Sequence, residues 1–446
     1  MFCLPQEVKT AIGLLREAGF SAYPVGGCVR DTLMGTVPND WDMCTNATPQ
    51  QMHAAFNGQK TVDTGIRHGT VTLIINKKSM EITTFRLDGD YADGRHPDNV
   101  TFSDRIDEDL RRRDFTVNAM AYDPEKGEVI DLFGGQKDIE NKIIRCVGEP
   151  EKRFEEDALR ILRAVRFSAK LGFGIEENTL AAMKRLAPTL SRVSRERIAQ
   201  EMSGLLLARD PEPVLLACRE VLFAAVPEMA AMADCPQVSI YHDRNVWEHT
   251  ALAVKNAEAD LTVRWAVLLH DIGKPACHTR DDKGYDHFAG HQDEGMILAR
   301  RVMEGLKMPK KLTDRVVTLV QKHDITLTDE IIWPLLAEIG SETFDMLLKV
   351  KYADLMAHAE WVRPRAKGLG TYAALKEMLI GENRAMSVQD LALRGSDLAK
   401  LGIRDRAIGE TLNRLFEEVV NRRCENTREA LLTCAKALLP QDDEYM

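Results

Sequence analysis

Cysteines that would build a framework are missing: the chain has nine, an odd number, scattered at positions 3, 28, 44, 146, 218, 235, 277, 424 and 434, with no C-x-x-C pair and no regular spacing. That is the usage of a reduced, cytosolic protein. Long apolar runs are missing too, since nothing approaches the roughly 20 residues that span a bilayer. The opening MFCLPQEVKT has neither a basic n-region nor an apolar h-region, so a cytoplasmic protein with no membrane partner is expected. Aromatic residues make up only 6%, which argues against a stacking surface spread along the whole chain. Basic residues are in deficit, 59 against 69 acidic ones, for a net charge of −10. The average field therefore repels phosphate, and any nucleic-acid partner must be met by local basic strips. The chain has no repeat of fixed period and no low-complexity tract, and its composition excludes disorder and collagen-like repeats. What is present is a 446-residue chain, 44% hydrophobic and 29% charged, the make-up of a well-cored protein of about three domains at about 150 residues each.

Residues 5–19 begin with Pro5, place Val8, Ile12 and Leu15 at helical spacing and stop at Gly19, which predicts a short helix. From Ala22 to about Val147 the brief runs AYPVGG, TVTLIIN, MEITTFR and EVIDLF alternate with Gly, Asn and Asp turns and with helical stretches, the texture of an α/β region. After Gly148 and Pro150 the strand signals fade. RFEEDALRILRAVRFSAKLGF then begins a series of amphipathic helices that continues almost to the end. Pro211 with Pro213, the turn-rich ADCPQVSIYHDRN at 233–245 and RPRAKG at 363–368 mark further boundaries. The expected fold is α+β, an α/β head followed by an elongated all-helical body, divided at 1–147, 148–210, 211–362 and 363–446.

Val25, Gly26, Gly27, Cys28, Val29, Arg30 and Asp31 read as a strand end, a glycine pair and a helix start. Two glycines let backbone amides approach a triphosphate with no Cβ in the way, and Arg30 can offer a guanidinium fork to the same phosphates. Asp40 and Asp42 then sit two apart in what reads as a strand, so that both carboxylates leave one face and can bind a pair of Mg²⁺ ions, as two-metal phosphoryl transfer requires. Asp157 and Arg160 read as neighbours three apart on a helix, with Arg163 and Arg166 following turn by turn; spacing alone favours a surface salt bridge.

Taken together, VGGCVRDTLMGTVPNDWDMCTNATP resembles the opening of the class II tRNA nucleotidyltransferase and bacterial poly(A) polymerase family, whose head is polymerase-beta-like. The resemblance continues through EITTFR, DLRRRDFTVNAMAYD, RFEEDALRILRAVRF and the C-terminal LRGSDLAKLGIRDRAIGETLNRLFEEVVNRRCENTREALL. It implies Glu81 as a third carboxylate, for which a strand-end salt bridge to Arg86 is an equal alternative. It implies Arg113 at the nucleotide, with Asp114 and Asn118 shaping the sugar site and hinge; Arg111 and Arg112 are expected on a solvated face. Asp157 and Arg160 are implied in base selection, Arg163 and Arg166 in contacts to nucleotide phosphate or RNA, and Glu156 as an orienting neighbour. The chemistry is definite. A carboxylate accepts from the exocyclic amine of cytosine or adenine, whereas uracil and guanine present a carbonyl there and leave it unpaired, at about 1 to 3 kcal/mol per group.

WEHTALAV, VLLHDIGKP, GHQDEG, VQKHD and KYADLMAH resemble the HD phosphohydrolase pattern. The resemblance implies His249, His270, Asp271 and Asp354 as its core ligands and His291 and His323 as the extra ligands of two-metal versions. Imidazoles with carboxylates suit Mn²⁺, Ni²⁺, Co²⁺ or Fe²⁺ and can activate water against a phosphoester. His278 and His287, in a polar loop, are expected to face solvent.

Two basic strips, Lys184, Arg185, Arg192, Arg195 and Arg197, and Arg300, Arg301, Lys307, Lys310, Lys311, Arg315 and Lys322, are the candidate phosphate tracks, although a solvated helix face is the default for such runs. The activity implied by the resemblance is CCA addition: CTP and ATP as substrates, tRNA as partner, pyrophosphate released, a nucleotide chosen by protein with no nucleic-acid template. Poly(A) polymerase, a C-only or A-only adding enzyme, and an HD phosphohydrolase with an RNA-binding first half are the alternatives.

Overall fold

The computed structural model describes residues 2–88, 100–382 and 384–438. It divides into two compact units, residues 1–230 and 231–446.

The first unit opens with α1 (Gln6–Glu17), which buries Val8, Ala11, Ile12 and Leu15 along one stripe and ends before Gly19 at φ +87°. A five-stranded sheet follows in the order β1 (Ala22–Pro24), β2 (Met43–Thr45), β5 (Lys78–Thr84), β4 (Thr70–Ile75), β3 (Lys60–Gly65). Only the central β2/β5 pair is parallel. Asn76 and Lys77, both at positive φ, form the two-residue turn that joins β4 to β5 with Ile75 opposite Lys78. In β5 Met80, Ile82 and Thr84 are buried while Ser79 and Glu81 are exposed, so one face packs on α1 and the other is free for chemistry. Between strands lie α2 (Gly27–Leu33) and α3 (Pro49–Ala55), the latter started by a capping box of Thr48 and Gln51.

The short pairs β6 (Arg86–Asp88) with β7 (Val100–Phe102) and β8 (Met120–Asp123) with β9 (Glu128–Asp131) flank α4 (Ile106–Arg111) and a 3₁₀ turn at Thr116–Asn118. Then come α5 (Gly135–Glu140), β10 (Ile143–Ile144), α6 (Pro150–Glu156), α7 (Leu159–Leu171), β11 (Gly174–Ile175), α8 (Glu177–Leu186), α9 (Arg195–Leu206), α10 (Glu212–Ala217) and α11 (Arg219–Ala225). The region after 148 is not wholly helical: β11 pairs in parallel with β10 and ties α8 back to the head. Residues 211–230 pack with α7 and α8 and belong to the first unit.

The second unit is helical: α12 (Val246–Asn256), α13 (Leu261–Leu269), α14 (Lys274–Cys277), the small hairpin β12 (Thr279–Arg280) and β13 (Asp286–His287), α15 (His291–Gly305), α16 (Lys310–Lys322), α17 (Asp329–Ile339), α18 (Ser341–Ala357), α19 (Leu369–Gly381), α20 (Gly395–Ala399), α21 (Arg406–Val420) and α22 (Arg428–Leu438). Its core is α12, α13, α16 and α18, with Trp247, Trp265 and Phe344 fully buried. Asn245 and Asp260 cap α12 and α13. Among the described residues no helix is long and apolar enough to cross a membrane.

The backbones at α14 and α15 touch: a Cβ on Gly273 would stand 2.1 Å from the carbonyl oxygen of His291 and 2.5 Å from the amide of Gly295. Gly273→Ala must push the two helices apart, and a loss of about 1–3 kcal/mol is expected, read as a lower Tm by calorimetry; an unchanged Tm would mean that α15 can shift freely.

Candidate functional site

The Asp42 carbonyl accepts the amide of Val25 at 3.0 Å, which continues the β1/β2 pairing by one residue and sets Asp42 beside the glycine pair. The spacing placed Asp40 and Asp42 in a strand; they lie instead in the irregular segment just before β2. Both are exposed, as is Glu81. Met43 is paired with Ile82 in the parallel β2/β5 register, so the residues before them, Asp42 and Glu81, are neighbours across the strands. Close packing and the like charge of Glu81 raise the pKa of Asp42, with Asp40 adding and Arg113 opposing. Three mutually repelling carboxylates at one sheet end form an all-oxygen donor set suited to hard divalent cations.

Gly26, at φ +79°, heads α2, and a Cβ there would meet the Nη1 of Arg113 at 3.0 Å. Glycine at this position keeps a guanidinium directly beneath the backbone. Arg113 donates to Asp109 at 3.1 Å, and Arg112 donates to the same carboxylate at 2.6 and 2.9 Å, so Arg112 is a structural partner rather than the solvated residue expected; Arg111 is exposed. Asp109 is fully buried. Burial opposes its ionisation, but Arg113 and Arg112 outweigh it and lower its pKa.

Arg30 is buried and committed, donating to Asp31 at 2.7 and 2.9 Å and to Oδ1 of Asn118, which differs from the open phosphate fork expected. Asn118 donates in turn to Asp114 at 3.3 Å, and Asp114 accepts both Nε and Nη2 of Arg163 at 2.9 and 2.7 Å. Arg163 lies 3.8 Å from Glu201, which also pairs with Arg166. The guanidinium carbons of Arg30, Arg163 and Arg166 stand 5.5, 5.3 and 4.4 Å from the centre of the Phe167 ring. This relay of charged hydrogen bonds around one aromatic face ties α2 to α7 and α9.

Asp157 is not on a helix with Arg160. It adopts φ −147°, ψ 104° in an extended break between α6 and α7. Its carboxylate accepts Leu159 N at 3.0 Å and a two-pronged bond from Arg197 on α9 at 2.7 and 3.3 Å. Arg160 binds Glu156 at 2.5 Å and the carbonyls of Arg153 and Arg112 at 3.2 Å. The salt bridge favoured by spacing is therefore absent among the described contacts, and Arg197, assigned to a basic strip, is the partner that the sequence hid. Others of the strips are also paired, Lys184 to Glu220, Arg185 to Glu151, Arg300 to Asp314, Arg315 to Glu342 and Lys322 to Glu338.

In the second unit His249 (α12), His270 and Asp271 (after α13), His291 (α15), His323 (after α16) and Asp354 (α18) converge. Nε2 of His291 and of His323 are 3.3 Å apart, and each is 3.7 Å from Oδ1 of Asp271. Ligands of one ion at bonds near 2.1 Å stand about 3.0–3.6 Å apart, so the set fits a cation. Nδ1 of His270, His291 and His323 faces the carbonyl three residues earlier at 2.6, 2.9 and 2.6 Å; this leaves Nε2 of His291 and His323 as the lone-pair nitrogen, while Nε2 of His270 stands 3.2 Å from Oδ2 of Asp271. Nε2 of His270 is buried with no hydrogen-bond partner among the described residues. Burial disfavours charge on His270, but Asp271 raises its pKa to about 10, while burial and that charge hold His323 down to about 3. Lys274 Nζ lies 2.7 Å from Asp271. His278 and His287 pair with Asp286 and Asp281, and only His287 is largely exposed. The cluster opens into a cavity of about 350 Å³ that His242 and His358, unnoticed in the sequence, also line.

Residues 22–145 match the family model of the poly A polymerase head domain, residues 172–232 that of the probable RNA and SrmB-binding site of polymerase A, and residues 240–356 that of the HD domain. A CCA-adding enzyme of Limosilactobacillus fermentum is 34% identical over 446 residues, covering 98% of each chain. One of Ligilactobacillus salivarius is 49% identical over 212 residues, 47% of this chain and about half, 52%, of that relative. The crystal structure of the Bacillus stearothermophilus CCA-adding enzyme in complex with CTP superimposes with a TM-score of 0.74 at 31% identity, covering 97% of this chain and 96% of that one. Nucleotidyltransferase heads and HD domains both use divalent metals, and both donor sets fit them.

Asp109→Asn leaves two guanidiniums facing an uncharged amide, and a loss of about 3 kcal/mol is expected in denaturant unfolding; a loss under about 1 kcal/mol would show that Arg112 and Arg113 find other partners. Asp114 carries a pH signature. Burial opposes its charge, yet Arg163 holds its pKa below the ordinary 3.8. Its contribution is therefore present above pH 3.8 and lost as pH falls through the lower folded value. The Tm gap between the parent and Asp114→Asn should be constant from pH 7 to 5 and close below pH 4; a gap that persists into strong acid would contradict this.

Proposed function

The chain belongs to the CCA-adding enzymes, nucleotidyltransferases with a poly A polymerase head and an HD domain, and from that premise we propose how its own residues add C, C and A from CTP and ATP to the 3′ end of tRNA, with release of pyrophosphate. Asp40 and Asp42, with Glu81 as third carboxylate, hold Mg²⁺. Bound there, the metal supplies activation of the terminal 3′-hydroxyl and neutralisation of the leaving pyrophosphate. Gly26 and Gly27 admit the triphosphate close to backbone amides, over Arg113 and within the field of Arg30. Asp114 and Asn118 shape the sugar side, and Arg163 and Arg166 face phosphate or RNA from α7. The observation that carries the reading is the meeting of three carboxylates beside the glycine pair.

Base choice falls to Asp157 and Arg160. Arg197 fixes the direction in which the Asp157 carboxylate points and leaves acceptor capacity for the exocyclic amine of cytosine or adenine. The carbonyl of uracil or guanine meets a like dipole there. The finer division assigns catalysis to 1–147, nucleotide selection to the region from 148, the HD body to the part of 211–362 that follows residue 230, and a tRNA-binding tail to 363–446, in a cytoplasmic protein; residues 211–230, expected in the HD body, go with the first unit. A second reading concerns the HD cluster alone: its imidazoles and carboxylates suit Mn²⁺, Ni²⁺, Co²⁺ or Fe²⁺, and water held there would attack a phosphoester.

Labelled nucleotides offered singly and in pairs to tRNA ending at the discriminator base should give C, C, A and a stop on a sequencing gel. Asp42→Asn should lower incorporation by about 10³-fold or more, the effect of losing several kcal/mol of metal stabilisation. Long A tails from ATP alone, or full activity in the variant, would contradict the reading. Arg197→Ala frees the Asp157 carboxylate and should raise UMP or GMP misincorporation by about tenfold or more, from the 1–3 kcal/mol at stake; unchanged fidelity would remove Arg197 from selection.

A further inference from the structure

The turn-rich stretch 233–245 and the residues around RPRAKG at 363–368 come together in an exposed aromatic surface. Tyr241 and Trp361 have ring centres 5.4 Å apart with planes inclined at 35°, and the guanidinium carbon of Arg365 lies 5.6 Å from the first centre and 5.2 Å from the second. Bonds to the backbone fix the rings: Trp361 Nε1 donates to the Ile240 carbonyl at 2.9 Å, and the Ala359 amide donates to the Tyr241 carbonyl at 2.8 Å. Of the five tryptophans, Trp247, Trp265 and Trp333 are buried and Trp41 is half-buried, whereas Trp361 is 52% exposed, beside Tyr241 at 41% and Ile240 at 59%. Large apolar residues exposed together, and not scattered singly, mark a contact site.

Charge selects the partner. Arg365 and Lys367, on the 3₁₀ turn Arg363–Gly368, are exposed, and among the described residues neither is ion-paired, even to the neighbouring Glu360. A protein with an apolar face would strip water from these two cations and put nothing in its place. Single-stranded RNA meets both needs, since its unstacked bases lie on aromatic rings and guanidinium planes while its phosphates meet the cations. Tyr241 also lines the cavity that holds Asp271, His291 and His323. A mononucleotide carries one phosphate group, too few for that cavity and both cations, whereas a strand carries one per residue.

We propose that Tyr241, Trp361 and Arg365 form a base-stacking platform at the mouth of the HD cavity for the end of a single-stranded RNA, with Lys367 on its backbone. The platform reads base faces and not base edges, so it tolerates any sequence. Its place beside the cavity makes RNA the substrate class of the HD centre, which rests on the second reading of that cluster given above; the stacking itself does not.

The full chain is titrated with a short oligoadenylate, and tryptophan fluorescence is followed in the parent and in Trp361→Phe, so that the difference isolates Trp361. The Trp361 signal should be quenched, with AMP at least about tenfold weaker than the oligomer because it offers fewer phosphates. Arg365→Gln should raise the midpoint at least about fivefold, the lower end of the stacking range, and Tyr241→Phe, which keeps the ring, should leave it in place. Lys367→Ala should lower the slope of log affinity against log salt by about 0.7. Quenching in His291→Ala/His323→Ala should match the parent. Equal quenching in the parent and Trp361→Phe, a midpoint unmoved by Arg365→Gln, or inorganic tripolyphosphate as effective as the RNA would overturn the platform, and AMP as tight as the oligomer would overturn the strand. Hydrolysis of glycerol phosphate with Mn²⁺, a substrate without a base, tests the cavity apart from the platform. It should be equal in the parent and Trp361→Ala; its absence from the parent would overturn the HD reading and the RNA substrate with it, while the quenching still decides the platform.

Discussion

The half-buried carboxylate of Asp114 sets the terms for the first unit. Arg163 reaches Asp114 from α7 with two short bonds and, with Arg160 and the Phe115 amide assisting, holds its pKa below the ordinary value against burial. Every neighbour is then fixed in order: Asn118 is turned by Asp114, Arg30 by Asn118, and the start of α2 by Arg30. The far end of the relay runs through Glu201 to α9, the helix that also carries Arg197 to Asp157. The glycine pair and the Asp157 segment are thus two ends of one charged network. Buried networks of this kind hold geometry well because any member left alone would be costly.

Around that network the carboxylate-bearing end of the sheet gathers like charges. Strand β5 alternates strictly, so Glu81 must face out if Met80 and Ile82 face the core. Parallel pairing of β2 and β5 then sets Asp42 beside another carboxylate, Glu81, with Arg113 as a partial counter-charge. Sequence periodicity makes a site that holds excess negative charge and that divalent cations relieve. The second unit achieves the same convergence differently, with rings locked by backbone carbonyls three residues earlier.

Local signals were legible where one element decides them. The runs AYPVGG, TVTLIIN and MEITTFR are β1, β4 and β5, and Gly19 closes α1. The glycine pair, Asp42, Glu81 and the HD residues each come from a short motif, and such motifs are what a sequence displays most plainly. What was illegible depends on partners distant in sequence. Helical spacing put Asp157 and Arg160 on one face, yet the chain breaks at Asp157, whose carboxylate is held by Arg197, forty residues on. Arg30 looked free for phosphate and is buried, since its partner Asn118 is 88 residues away. His242 lay in a segment read only as a boundary; His358 sits one turn after Asp354, the single spacing clue available.

If the protein itself chooses the base, discrimination must exist before any RNA arrives. Titration calorimetry of the RNA-free chain with each of the four nucleoside triphosphates in Mg²⁺ tests this most directly. CTP and ATP should bind at least about tenfold more tightly than UTP and GTP, as one unpaired buried acceptor requires. Equal affinity for all four would place selection in the RNA or in the chemical step and contradict the account.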